Sequence, residues 1–132
     1  MTLSYGRKEN LVKVIEYVKE YNDVPQDETS FDKQLYANTN SALATLNQLG
    51  VGKEVYLTPD EGDIDFDDFF EDKDSKLVRS LSIDFIGLSV MFKFDTPVTA
   101  KKGENNAEAL KELEFRIYMK ADADIVAANR ES

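Results

Sequence analysis

The chain has 132 residues and a formal net charge of −10, and it contains neither cysteine nor histidine. This length fits one domain, and the missing residue types exclude disulfides, the usual zinc sites, histidine-based triads and thiol nucleophiles. The negative charge disfavours binding to nucleic-acid phosphates, and no apolar run is long enough to span a membrane.

Two amphipathic helices are predicted in the first half of the chain. The first covers about residues 8–22 and ends before Pro25, which cannot continue a helix. The second covers about residues 30–49 and ends at Gly50, where a left-handed residue is needed. Beyond it, the β-branched and aromatic residues within 54–58 favour a short strand.

The next stretch, residues 60–74, is here called the acidic segment. It holds nine Asp or Glu residues and one Lys, and it also contains Phe66, Phe69 and Phe70. A purely solvated acidic loop would not carry three phenylalanines. We therefore expect these side chains to pin the segment onto the helices or onto a neighbouring molecule.

Two further helices are predicted in the second half. Residues 75–94 are apolar on two faces, which indicates a central helix buried on both sides. A polar loop over 98–105 leads to a helix over 106–120, after which the periodicity fades. We predict a mostly α protein, a small four-helix bundle with an irregular acidic middle. Its helical domain covers 1–121 and its loose C-terminal tail 122–132.

The predicted core consists of apolar residues that recur at helical spacing: Leu11, Ile15, Leu35, Leu43, Leu46, Leu81, Phe85, Leu88, Leu110, Leu113 and Ile117. Asp84 interrupts the most apolar helix, and a buried Asp needs a partner. Two alternatives stay open for it: an inter-subunit salt bridge, or an exposed gap between the two apolar stripes.

A nucleotide site is not expected. Residues 50–54 resemble the end of a phosphate-binding loop, but Asn47 stands where the motif needs Gly, and Glu54 where it needs Ser or Thr. The stretch also closes a helix, whereas a phosphate-binding loop opens one. No signal core follows the charged residues near the N-terminus, so we expect a protein that stays in the cytoplasm where it is made.

A calcium-binding hand is not expected either. Asp63, Asp65 and Asp67 alternate as in such a loop, yet Asp68 occupies the position that requires Gly, and Asp74 that of the bidentate Glu. Loose cation binding remains open. Carboxylate-pair catalysis needs two acids on rigid elements across a cleft. The acids here crowd one loop, so we expect no enzyme, no metal and no cofactor.

Three short stretches carry a family resemblance. The third predicted helix ends in the sequence FDTP at residues 94–97, and the fourth carries ELEFRI at residues 112–117. This arrangement resembles the small head–tail connector proteins of tailed phages, also called adaptor or head-completion proteins. The sequence DDFF at residues 67–70 is similar to the acidic-aromatic stretch that those proteins carry before the apolar helix. The resemblance covers most of residues 10–120.

The resemblance implies a ring, usually of twelve copies, beneath the portal of the filled head. The protein would be assembled in the host cytoplasm and located at the neck of the virion. A C-terminal segment would bind the portal, and a loop region would meet the next tail component, the stopper. DNA would pass through the lumen without specific binding, because a negative lumen repels phosphates.

The implied contact residues fall in two groups. The residues expected to bind the portal are Ile125, Val126, Asn129 and Arg130. The residues expected at a subunit or tail interface are Asp63, Asp65, Phe66, Asp67, Asp68, Phe69 and Phe70.

Two other hypotheses stay open. The net charge alone motivates an acidic regulatory binding protein that imitates nucleic acid and blocks a basic partner. The alternating Asp63, Asp65 and Asp67 motivate a small carboxylate enzyme or a cation binder.

Overall fold

The computed structural model describes residues 13–94 and 100–131, without the side chains of residues 100–104 and 131. The described chain is mostly helical, as the sequence predicts. Its elements, in chain order, are α1 (Val14–Tyr21), α2 (Asp32–Gln48), α3 (Phe66–Phe69), α4 (Lys76–Phe94) and α5 (Ala100–Glu131).

Helix α4 is the centre of the bundle. Helices α1, α2 and α5 all pack against it, and α1 also packs against α2. Its buried residues include Val78, Phe85, Ile86 and Val90, which together occupy more than one face of the helix. The prediction of a central helix buried on both sides is confirmed.

The predicted core is largely confirmed among the described residues. Its buried members are Ile15, Leu35, Leu43, Leu46, Leu81, Phe85 and Ile117. Its half-buried members are Leu88, Leu110 and Leu113. Leu11 lies outside the described residues, as do residues 8–12 of the first predicted helix and residues 95–99 after α4.

No strand forms over residues 54–58; the only bridge among the described residues is an isolated one between Lys13 and Asp65. An asparagine side chain takes the place of a partner strand. The amide group of Asn40 donates to the carbonyl oxygen of Leu57, and its oxygen accepts from the N–H of Leu57, each at 2.8 Å. Local residue preferences could not show that the Asn40 side chain, 17 residues away, satisfies the backbone groups of Leu57.

Helix replaces the described parts of the predicted polar loop and of the predicted loose tail, residues 100–105 and 122–131. Residues 98, 99 and 132 lie outside the described residues. Helix α5 runs without a break over the 32 residues Ala100–Glu131. Apolar periodicity marks only the buried part of a helix, whereas alanines such as Ala123, Ala127 and Ala128 favour helix whether buried or not. Residues 122–131 therefore extend the last helix of the bundle.

Candidate functional site

The acidic segment is anchored by its phenylalanines. Phe66, Phe69 and Phe70 are between 0% and 3% exposed. The Phe69 and Phe70 rings meet edge to face at 5.2 Å between centroids, and the Phe66 ring meets that of Tyr17 on α1 at 5.7 Å. These side chains pin the segment onto its own helices. In the single chain the hydrophobic effect has buried all three side chains. Their place at a subunit or tail interface stays a prediction.

Asp63 caps helix α1. Its carboxylate accepts hydrogen bonds from the N–H groups of Ile15 at 2.7 Å and Glu16 at 3.0 Å. Two of the N–H groups that have no partner inside a helix are thereby satisfied. The first acid of the alternating series therefore has a structural role, which sequence spacing did not reveal.

The next three acids face outward. Asp65 lies 3.5 Å from the ammonium of Lys13, and Asp67 lies 3.9 Å from the guanidinium of Arg79. Asp68 is exposed and forms no ion pair within the described part of the chain. These carboxylates are the part of the predicted interface that remains available to a partner.

Asp74 ends the acidic segment as a buried carboxylate. One oxygen accepts from the N–H groups of Gly52 at 3.0 Å and Glu71 at 2.9 Å, and the other lies 3.0 Å from the Lys73 ammonium. The twelfth position of the supposed calcium loop thus holds the loop after α2 in place. Within residues 13–94 and 100–131, no group of three or more acids is placed to hold a metal ion.

Asp84 lies on the exposed strip of α4, near Tyr17 and Tyr21 of α1. Partial burial raises its pKa above the ordinary value, and burial together with the nearby Asp84 charge raises the pKa of Tyr17. Asp84 has no ion-pair partner among the residues described here. Within the single chain it therefore fits the exposed-gap alternative.

The predicted portal-binding residues occupy the last turns of α5. Ile125 is half-buried, and its Cδ1 methyl lies 3.3 Å from the place that a Cβ on Gly50 would occupy. Val126, Asn129 and Arg130 are exposed. The structure thus divides this set into one residue that packs on the bundle and three that point outward.

The beginning of this last stretch is fixed to the bundle. The Asp124 carboxylate accepts from the N–H of Ser75 at 3.2 Å and lies 3.6 Å from the Lys120 ammonium. Ser75 directly follows the acidic segment. The end of α5 and the end of the acidic segment are therefore neighbours in space.

Helix α5 also carries exposed apolar side chains that the sequence did not lead us to expect. These are Phe115, Tyr118, Met119 and Val126, which are together called here the outer face of α5. Phe115 is 63% exposed and Met119 is 53% exposed, while Ile117 between them is fully buried. The signal was present in the sequence: Phe115 and Met119 are out of phase with Leu113 and Ile117, so one helix cannot bury both sets against the same neighbour.

Comparison with known proteins gave one family. A family model described as phage connector protein matches residues 14–124. Neither the curated proteins nor the solved structures gave a match. The matched region contains α1 to α4, the acidic segment and most of α5, and it ends just before Ile125. In the described residues, no helix is both long enough and apolar enough to cross a membrane.

Proposed function

The chain belongs to the phage connector protein family, and from that membership we propose that it forms a ring beneath the portal and joins the DNA-filled head to the tail. The observation that carries this proposal is the family match over residues 14–124, which covers the whole bundle except the end of α5. Its partners are then the portal protein and the next tail component. Its work is structural, and its place is the neck of the virion.

A ring also suits the surface of the single chain. The outer face of α5 leaves four large apolar side chains exposed along one helix. Phe115, Tyr118 and Met119 are neighbours on the helix surface, and a cluster of exposed apolar side chains favours an interaction site there. In a closed ring, the same contact between identical copies is repeated around the ring. Every copy then has its exposed apolar face covered by a neighbour. A ring of twelve is the number that the family resemblance suggests.

Portal attachment is assigned in this proposal to the end of α5. Val126, Asn129 and Arg130 point outward there, past the fixed point at Asp124. Residues 1–121 are then the body of the connector, and residues 122–132 its attachment segment. Many identical weak contacts around a ring give strong attachment, because once one copy is bound the others bind at high effective concentration.

The outward carboxylates of the acidic segment have two possible places in such a ring. Asp65, Asp67 and Asp68 either border the lumen or meet a neighbouring molecule. A lumen with exposed carboxylates repels the phosphates of passing DNA, so that the DNA does not adhere. No specific DNA contact is needed for this role.

The experiment is reconstitution with the portal protein encoded by the same phage genome. Purified portal and connector are mixed, separated by size exclusion with light scattering, and imaged by electron microscopy. We expect a ring of connector density on one end of the portal, with no change in the portal's own copy number. Absence of any complex at both low and physiological salt would contradict the proposal.

A further inference from the structure

The last turns of α5 extend beyond the helix on which α5 packs. Helix α5 packs chiefly on α4, and near its end Asp124 lies beside Ser75, the residue that precedes α4. The residues after Asp124 have therefore passed the start of α4. With a rise of 1.5 Å per residue, residues 126–131 project about 9 Å past this point. A helix end of this length frays when nothing holds it, because a few residues cannot form a stable helix by themselves.

Two contacts hold α5 where this projection begins. The Asp124 carboxylate accepts from the N–H of Ser75 at 3.2 Å. Ile125 packs on Gly50, where an added Cβ would lie 3.3 Å from the Cδ1 methyl of Ile125. Gly50 belongs to the loop after α2, whereas Ser75 directly precedes α4. Because the two contacts go to different parts of the bundle, they fix both the direction of the helix and its rotation about its own axis.

The surface beneath these contacts is held together by its own hydrogen bonds. The carbonyl oxygen of Gly50 accepts from the Lys73 ammonium at 2.6 Å, and the same ammonium lies 3.0 Å from the carboxylate of Asp74. Asp74 is buried and accepts from the N–H of Gly52 at 3.0 Å. The loop after α2 and the end of the acidic segment are thereby joined into one support for α5. This support is called here the platform and consists of Gly50, Lys73, Asp74 and Ser75.

The rotation of the helix decides which of its last side chains face outward. At 3.6 residues per turn, Val126, Asn129 and Arg130 lie within about 100° of one another, on the side roughly opposite to Asp124. All three are exposed. The contact between Asp124 and Ser75 therefore turns the three residues of the proposed portal attachment away from the bundle.

We propose that Asp124 and Ile125 are positioning residues for portal attachment. The proposal rests on the proposed function and deepens it. The two side chains hold residues 126–131 as a preformed helix on the platform, and neither of them touches the portal. A segment that is already ordered loses less conformational entropy on binding, so preorganisation raises its affinity. Ile125 thus moves from the group of portal contacts to the group of residues that present those contacts.

The first test needs only the connector chain. The variant Asp124→Ala/Ile125→Ala removes both contacts, while alanine favours helix more strongly than either residue that it replaces. Hydrogen exchange should show protected amides at residues 128–131 in the wild type, and the variant should lose that protection by about fivefold or more. The amide of Ile86 in the buried centre of α4 should exchange as before, which shows that the fold is intact. Wild-type protection in the variant, or no protection in the wild type, would overturn the proposal.

The second test measures the affinity of one connector copy for the portal, with portals in large excess so that bound copies do not meet. The double variant keeps Val126, Asn129 and Arg130, yet its affinity should fall about fivefold or more, because the freed segment must order on binding. Glu108→Ala removes an exposed acid from the same helix outside the attachment segment and should bind within about twofold of the wild type. A double variant that binds as well as this control would overturn the proposal while leaving the head–tail function standing.

The N–H of Ser75 separates positioning from portal contact. If Asp124 stays on the platform, portal binding stabilises the docked segment, and by reciprocity the Ser75 amide of the wild type should exchange more slowly in the complex. If Asp124 instead turns to the portal, it releases this N–H, which then exchanges faster. Faster or unchanged exchange at Ser75 would therefore overturn the proposal. A wild type that does not bind the portal at all would overturn the proposed function, and this inference with it.

Discussion

The Asp63 carboxylate lies 2.7 Å from the backbone nitrogen of Ile15, although 48 positions separate the two residues. Lys13, which precedes α1, makes no side-chain cap of its own. The missing local cap is thus supplied from the acidic segment. A negative charge at this end of a helix is also favoured by the helix dipole. The interaction stabilises α1 and fixes the start of the acidic segment at the same time.

Replacing Asp63 by Ala should therefore lower the free energy of unfolding by about 1–2 kcal/mol, as for the loss of a strong N-cap. Urea denaturation followed by circular dichroism measures this loss. The matched control is Asp68→Ala, which removes an exposed acid of the same segment and should change stability by less than about 0.5 kcal/mol. Equal effects from the two substitutions would show that the cap does not contribute.

The predictions that were confirmed depended on signals close together in the sequence. Those that were wrong depended on contacts between residues far apart in the sequence. Helix α2 was predicted because its stop signal is local: Gly50 has φ +94°, the left-handed conformation that ends the helix. The Asp63 cap and the Asn40 amide pair with Leu57 join residues far apart in sequence. Local spacing cannot indicate such contacts. A strand was therefore predicted over 54–58, where the Asn40 side chain satisfies the backbone of Leu57.

The surface that the acidic segment contacts also depends on residues far apart in sequence. The presence of Phe66 and Phe69 correctly indicated that the acidic segment packs against another surface. Residue counting could not decide whether that surface belonged to the same chain or to another. The outer face of α5 was not predicted because apolar spacing was followed along one side of the helix only. Phe115 and Met119 lie on the opposite side.

Gly52 should not tolerate a side chain. Its φ is +74°, and a Cβ there would clash with the ring of Phe69, which is fully buried and cannot move aside. Gly52→Ala should therefore cost about 3 kcal/mol, combining overpacking with backbone strain. Gly62→Ala is the matched control, because its φ is +90° but nothing lies within 4 Å of the added methyl. It should cost only the strain, about 1 kcal/mol. The prediction fails if both variants melt at the same denaturant concentration.

Asp74→Ala should destabilise the chain strongly. The substitution removes the acceptor for the N–H groups of Gly52 and Glu71, and the Lys73 ammonium loses its closest carboxylate. Hydrogen bonds to a charged group contribute about 1.5–3 kcal/mol each, and buried donors without partners cost further. We expect a loss of at least about 2 kcal/mol by urea denaturation. Asp72→Ala, two residues earlier and exposed, should change little; a comparable loss there would contradict the assigned role of Asp74.

Asp84 should make stability depend on pH. Burial raises its pKa in the folded state above the unfolded value, so the folded protein holds this proton more tightly. The sign follows: as pH rises from below the unfolded pKa through the folded pKa, this residue lowers the free energy of unfolding. Asp84→Asn should therefore be slightly more stable than the wild type at pH 7, and the difference should vanish near pH 3. Thermal melts at both pH values measure it, with Glu108→Gln as the exposed control. A gain that persists at pH 3 would point to a cause other than charge.

The end of α5 allows portal binding to be separated from folding. Deleting residues 126–132 removes Val126, Asn129 and Arg130 but keeps Ile125 on Gly50 and Asp124 on Ser75. Residues 126–131 are helical and lie outside the core, so the deletion should lower the helical circular dichroism signal in proportion to the helix removed. The melting midpoint should stay nearly unchanged.

If this end binds the portal, the affinity of one connector copy for the portal should drop at least tenfold, about 1.4 kcal/mol. Arg130→Ala alone should lose less, since one exposed charge contributes about 1 kcal/mol or less. A truncated chain that still binds a lone portal site with wild-type affinity would place the attachment elsewhere. The outward carboxylates of the acidic segment would then be the next surface to test, because they lie beside the same end of the bundle.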